Sequence, residues 1–347
     1  MRILAPRPEY NPANPVSLMM ALMASPEDPL VSILFNLETM VSAGWEKRGQ
    51  KKTTKKTNTT MDKPKSSAPQ TEVYRNRIVD GLKSDGILKE AVCFFEGVTA
   101  DSLNKPFRIR LVSPGEKGTV DLIREMAADS RRDEPVGRCL GLPRDLIIEA
   151  NVARYKHFFK AGFVLVGEVY EEKDNKWNIA GSTCFYDTAI ESTLGKELYS
   201  QKFKIFTPVM VLMKKLYEKV PRGTGHSEVL GHTWNGGSGF TNQDYRNSRC
   251  LTNLFLLGGL IINYLGGTEI YSETTSEVSH RFAMGRIGTE TIAELDPRPI
   301  EHKGECPFKD YGNARFVLVK FPVSGLCQEA SVLQTKIANQ HTHSKLQ

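Results

Sequence analysis

The segment Asp244–Gly259, DYRNSRCLTNLFLLGG, sets a short polar bend with two arginines directly before a long apolar run. Residues in that order could hold a diphosphate. The first N–H groups of a helix have no partner within it, and the helix dipole adds positive potential at that end, so an anion with several oxygens fits there. The donors would be main-chain groups of Arg246, Asn247, Ser248, Arg249, Cys250 and Leu251, with Arg246 and Arg249 adding charge. Such a bend favours glycine, which permits close approach and positive φ. Arg249 and Leu251 stand where glycine would be expected. A polar loop leading into a core helix is the plainer alternative.

The elements that would carry this bend follow from periodicity. PFRIRLVS from Pro106 alternates as a strand, and KGTVDLIREMAADSRR has helical spacing through Val120, Ile123, Met126 and Ala127. Asp133–Asp145 reads as a loop, and a second helix covers Leu146–Phe159. GFVLVGEVYEE and WNIAGSTCFYD are strands joined by a hairpin at Asp174-Asn175. A helix follows near Val209–Val220, then a strand over Ser227–Trp234 and the glycine-rich NGGSGF. The apolar helix after the bend runs to about Leu265 and ends at Gly266-Gly267. TEIYSETT, TETIAEL and ARFVLVKF are strands, with a short helix in SEVSHRFAMGRI. The fold class expected is mixed α/β.

The chain has 347 residues and a net charge of +6. Residues 47–65 alone carry +7, so the remainder sums to about −1; the basic signal belongs to this tail, which is the one place where nucleic acid or an acidic partner is an alternative reading. Residues 1–72 are rich in Pro, Lys and Thr and too poor in apolar side chains to offset their ordering entropy; they read as a disordered extension. The KKTTKK stretch within them is a solvated linker or, alternatively, a nuclear-targeting element. Residues 73–105 form a lead-in, 106–323 the folded domain and 324–347 a polar tail. Six cysteines lie far apart without ligand spacing, which points to reduced thiols, a cytoplasmic protein and no metal. No apolar run reaches 18 residues, so no membrane span is expected. His226, His232 and His280 lack a ligand-spaced partner and read as packing or surface residues; His302, His341 and His343 lie in a loop and the tail.

The bend, the buried helix and the TEIYSETTSEVSHR segment together resemble the GNAT superfamily of acyl-CoA-dependent N-acyltransferases. Its phosphate loop is usually (Gln/Arg)-x-x-Gly-x-(Gly/Ala); Arg246 matches the first position, and Arg249 and Leu251 depart from the others. Arg132–Leu142, RDEPVGRCLGL, resembles a segment of the insect-type arylalkylamine N-acetyltransferases in which the Glu is the general base. That resemblance places the role on Glu134, where residue chemistry alone also allows a loop capping the second helix. Thr275-Ser276-Glu277-Val278-Ser279 is similar to the same family's (Thr/Ser)-Ser-x-x-Ser pattern, which implies that Thr275 and Ser279 sit near the thioester sulfur. Helix capping by Thr275 or Ser276 explains these residues as well. Met284 occupies the place where a tyrosine acid is frequent in the superfamily.

The resemblance also implies an architecture: a mostly antiparallel sheet whose fourth and fifth strands splay apart, with the pantetheine arm pairing along the free edge of the fourth. Gly236, Gly237 and Gly239 lie where that edge would need close approach, and Phe240 and Thr241 would offer backbone groups to the arm; a flexible loop is the alternative. The expected function is transfer of an acetyl group from acetyl-CoA to a primary amine, with an arylalkylamine as the implied acceptor. The rival is a degenerate relative that binds a CoA-like ligand or a partner without turnover.

Overall fold

The computed structural model describes residues 93–98, 105–190, 201–221, 224, 229–246 and 248–332; side chains of 93–98, 201 and 202 are not described. The expected extension 1–72, most of the lead-in, His226, Asn247 and residues beyond 332 lie outside these.

Eight strands form one sheet. They are β1 (Cys93–Val98), β2 (Pro106–Leu111), β3 (Gly162–Glu171), β4 (Lys176–Asp187), β5 (Thr233–Thr241), β6 (Glu269–Thr274), β7 (Glu290–Leu295) and β8 (Phe316–Pro322). Their order is β1-β2-β3-β4-β5-β6-β8-β7. Every pairing is antiparallel except β5 with β6, which is parallel. That parallel contact covers only Thr233–Asn235 against Glu269–Tyr271. Beyond it the two strands part, which leaves one edge of β5 unpaired from Gly236 onward. This is the mixed, mostly antiparallel, splayed sheet that was expected.

Helices α1 (Lys117–Asp133) and α3 (Arg144–Ala161) cover one face of the β2–β5 half. Val120, Ile123 and Ala127 recur at helical spacing and bury that side of α1. Helix α4 (Thr207–Tyr217) covers the β6–β8 half of the same face. On the opposite face lies α5 (Cys250–Tyr264), apolar on nearly every side. Its Gly258 passes so near the sheet that an added Cβ would sit 2.2 Å from the Phe185 ring. Helix α6 (Glu277–Met284) follows β6.

Four features differ from, or decide between, the sequence expectations. NGGSGF, where a flexible loop was the alternative to a strand edge, is the body of β5; neighbours crowd the backbone at Gly236, where Phe185, Phe255 and Ile270 each lie 3.2 Å from where a Cβ would stand, and at Gly239, where Leu251 comes to 3.0 Å. The expected loop Asp133–Asp145 contains α2 (Pro135–Leu140), opened by Pro at its first turn and closed by Gly141 at φ 55°. The polar tail expected from residue 324 begins as a helical segment over 323–332, which seats Val323, Leu326 and Ala330 in the core beside α5. A strand also precedes the expected domain start, as β1 pairs with β2.

Candidate active site

A cavity of about 450 Å³ opens where β5 and β6 part. Gly236, Gly237 and Gly239 line it from β5, and Ser272, Glu273 and Thr274 from β6. It continues between α1, α2 and α4, past Glu134 and Arg131. Its size suits a small-molecule site.

Glu134 sits at the junction of α1 and α2, as N-cap of α2. Its side chain makes no cap bond there. It turns to the cavity and accepts a hydrogen bond from Thr275 Oγ1 at 2.8 Å. Burial raises the Glu134 carboxyl above its ordinary value; the Thr275 hydroxyl and the charge of Arg131 oppose that rise. Thr275 is itself fixed, since Tyr311 Oη donates to its carbonyl oxygen at 2.6 Å. Ser279 also lines the cavity, but its hydroxyl works as a cap. Ser276 Oγ accepts from Ser279 N–H at 3.2 Å, Ser279 Oγ accepts from Ser276 N–H at 3.1 Å and donates to the Ser276 carbonyl at 2.9 Å. Of the proposed trio, then, Glu134 and Thr275 are bonded to each other, and Ser279 is held in the capping box of α6.

Strand β5 carries a bulge. Ser182 pairs with Phe240 and Cys184 with Gly237, so Ser238 and Gly239 oppose Thr183 alone. Ser238 takes φ 53° to allow this. A bulge leaves a backbone group without its ladder partner, here beside the gap. Phe240 is buried against α1 and α3 while still touching the cavity, and Thr241 pairs with Gly181.

The polar bend is anchored to the β3–β4 hairpin. Asn242 N–H donates to Ala180 O at 2.8 Å, and Tyr245 Oη donates to Glu171 Oε1 at 2.9 Å. Arg249 is the N-cap of α5 and adopts the left-handed region at φ 57°, ψ 16°. The position therefore needs the conformation that glycine adopts freely, and an arginine holds it. Arg246 and Arg249 are exposed, whereas Ser248 is buried with its Oγ accepting from Cys250 N–H at 3.4 Å. The Cys250 sulfur points inward, 2.6 Å from where a Gly167 Cβ would stand, so only its N–H faces the bend. Leu251 lines the cavity and comes within 3.0 Å of a Cβ placed on Gly239; it narrows the gap without closing it. The cavity reaches the bend only at Leu251.

Sequence reasoning missed Arg131, Tyr311 and Glu273. Arg131 lies four residues after Ala127, on the buried stripe of α1, and that spacing could have marked it as inward-facing. Tyr311 comes from a Pro-broken loop without periodicity. His232 lies against the hydroxyls of Thr233 and Thr268, and neither it nor His280 lines the cavity. Among the described residues, no three His, Cys, Asp or Glu side chains could hold a metal ion, and no helix is long and apolar enough to cross a membrane.

No family model and no curated protein matches the chain. Similar solved structures include arylalkylamine N-acetyltransferase 2 from Aedes aegypti at 14% identity, covering 62% of this chain and 99% of that one with a TM-score of 0.49. The C-terminal condensation domain of Ebony, solved with beta-alanyl-dopamine, is 13% identical over 63% of this chain and 99% of its own, with a TM-score of 0.48. Agmatine N-acetyltransferase is 14% identical over 62% and 99%, with a TM-score of 0.46. These likenesses describe the fold only; what the chain does has to be argued from its own cavity. The solved structures to which it is similar include acetyltransferases of the GNAT type that its bend and its Arg132–Leu142 segment resemble.

Proposed function

We propose that this protein transfers an acetyl group from acetyl-CoA to a primary amine. One observation carries the reading: a cavity enters between two diverging central strands, and inside it a carboxyl with a raised pKa is oriented by a hydroxyl. A carboxylate whose pKa is raised is a stronger base toward the proton of an amine. The coenzyme's pantetheine arm would lie along the unpaired edge of β5 toward Phe240 and Thr241. Its diphosphate would meet main-chain donors at the start of α5, with the two exposed arginines adding charge; the N–H groups of Arg246, Ser248 and Cys250, bonded at 3.3–3.4 Å to Gln243, Tyr245 and Ser248 oxygens, would have to exchange those long bonds for the anion.

The reaction is a direct attack. The amine nitrogen forms a bond to the thioester carbonyl carbon, and Glu134 takes the proton that the nitrogen loses. Backbone N–H groups at the Ser238 bulge stabilise the negative charge on the carbonyl oxygen. The carbon–sulfur bond then breaks, and the CoA thiolate takes a proton from solvent, directly or relayed through Ser279, whose hydroxyl gives one proton as it takes another from water and so stays neutral. To relay, the Ser279 hydroxyl must turn from the Ser276 carbonyl; the bond from Ser279 N–H to Ser276 Oγ can persist meanwhile. Phe206, Met210 and Met213 supply an apolar wall for an aryl or alkyl acceptor.

Glu134→Gln tests this. It should keep acetyl-CoA affinity and lower kcat by about 10²- to 10⁴-fold, the usual weight of a general base. Because folding raises the Glu134 pKa, the ionised carboxylate lowers stability above its unfolded pKa. The variant should therefore melt no lower than wild type at pH 8. Unchanged kcat would refute the role. A wild-type protein that binds acetyl-CoA yet acylates no amine would be the degenerate binder instead.

A further inference from the structure

Four charged side chains line the cavity. Glu134, bonded to Thr275, and Arg131 stand three residues apart at the end of α1; Glu273, which accepts a hydrogen bond from Tyr217 Oη, comes from β6, and Arg154 from α3. Both arginines reach one acceptor: the Nη1 atoms of Arg131 and Arg154 each lie 3.4 Å from Asn151 Oδ1. Arg131 also donates to Ser238 Oγ at the β5 bulge. Its hydrogen-bond partners are thus a neutral amide and a neutral hydroxyl, and no carboxylate lies within 4 Å of it among the described residues. Burial depresses its pKa, with the more distant Glu134 opposing the effect.

A guanidinium carries five N–H donors in a planar fork that matches a carboxylate. A desolvated charge without a close counter-ion is costly. The same side chain on an inward helix position would be better replaced by an apolar residue unless something visits it. Asn151, fully buried, is committed elsewhere as well, as its Nδ2 donates to Arg124 O at 3.0 Å. It cannot supply the missing charge. An acceptor in the cavity would therefore find two acids and, on the same lining, two guanidinium groups whose hydrogen-bond partners are neutral.

Resting on the acyl-transfer reading above, we propose that the acceptor is an amine that also bears a carboxylate, with Arg131, seconded by Arg154, as the residue that binds the carboxylate and sets the specificity. Plain arylalkylamines would leave Arg131 with neutral partners alone, and Arg154 with Asn151 and the Phe206 ring 5.9 Å away.

Matched acceptors differing only by a carboxylate test this: tyramine against tyrosine, histamine against histidine, agmatine against arginine. Each is assayed with acetyl-CoA and with succinyl-CoA, on wild type, Arg131→Gln, Arg131→Lys and Arg154→Gln, with melting curves to confirm folding. With acetyl-CoA, the carboxylated member of at least one pair should be preferred in kcat/KM by about tenfold to a hundredfold, the range for hydrogen bonds to a charged group. Arg131→Gln should collapse that ratio toward one, and Arg131→Lys should restore part of it. Preference for the plain amines, or a ratio indifferent to Arg131→Gln, overturns the proposal. If instead wild type prefers succinyl-CoA with plain amines and Arg131→Gln removes that preference, the anion arrives on the acyl donor, and the acceptor assignment is overturned. Calorimetric titration of the same pairs into CoA-saturated protein separates this from failure of acyl transfer. Arg131-dependent binding of the acid without turnover sustains the anion site while ending the enzymatic reading; binding of neither member ends the proposal.

Discussion

Arg249 gives the bend its sharpest test. It takes φ 57° at the N-cap of α5, a region that L side chains enter at a penalty of about 1–2 kcal/mol. Substituting glycine removes that penalty but adds about 0.5–1 kcal/mol of unfolded-state entropy relative to alanine. Substituting alanine keeps the penalty. Both variants lose the guanidinium and whatever it touches, so the comparison of Arg249→Gly with Arg249→Ala isolates the backbone. Glycine should win by about 0.5–1 kcal/mol, which for a domain of this size is roughly 1–4 °C in melting temperature. The same two proteins report on the diphosphate. Each should bind acetyl-CoA a few-fold more weakly than wild type, since an exposed charge near a helix N-terminus is worth up to about 1 kcal/mol to an anion. Differential scanning fluorimetry and calorimetric titration read both effects. If the alanine variant melts at or above the glycine variant, the left-handed assignment is refuted. If neither loses affinity, the arginine does not face the diphosphate.

Two further outcomes follow from named contacts. Thr275→Val removes a hydrogen bond that holds the Glu134 carboxyl down, a bond to a charged group worth about 1.5–3 kcal/mol or roughly one to two pKa units. Glu134 acts when ionised, so the acidic limb of the kcat/KM profile should move to higher pH by about that amount; an unmoved limb with intact rate disconnects the pair. Glu168 is 4% exposed and bridges Arg108 at 2.6 Å and Arg110 at 2.9 Å. Glu168→Gln leaves Arg108 without its carboxylate and should cost about 3 kcal/mol, seen as a melting point lowered by about 6–12 °C; a loss under 2 °C would mean the network is solvated.

How far the sequence disclosed this arrangement depends on what each element advertises. The β3–β4 hairpin was legible from Asp174-Asn175, and α5 from an apolar run that could only be buried. Strand β5 was not, because four positions of TWNGGSGFT are small residues that imitate a loop. At Gly236 and Gly239 the smallness has a tertiary cause, the crowding of Phe185, Phe255 and Ile270 against the first and of Leu251 against the second. Helix α2 was hidden in a Pro- and Gly-containing stretch, and Gly137 is required there because a Cβ would meet Arg131 O at 2.1 Å. The segment 323–332 read as polar, although Val323, Leu326 and Ala330 keep helical spacing. Glu134 and Thr275 entered through resemblance; that a hydrogen bond joins residues 141 apart in sequence is a fact of topology. Arg131 was unseen because the meaning of a half-buried charge depends on what surrounds it.

The central claim is that the parting of β5 and β6 admits acetyl-CoA. Gly237 gives the most direct access to it. A Cβ there would meet only Asn235 Oδ1, at 3.5 Å, and the position is in a strand lining the cavity, so Gly237→Val should fold at least as well as wild type. Its side chain would occupy the gap. Calorimetric titration of acetyl-CoA should show saturable one-to-one binding to wild type and binding weakened at least about tenfold, one unit of 1.4 kcal/mol, in Gly237→Val. Equal affinity in the two proteins, or none in wild type, would contradict the placement of acetyl-CoA between these strands.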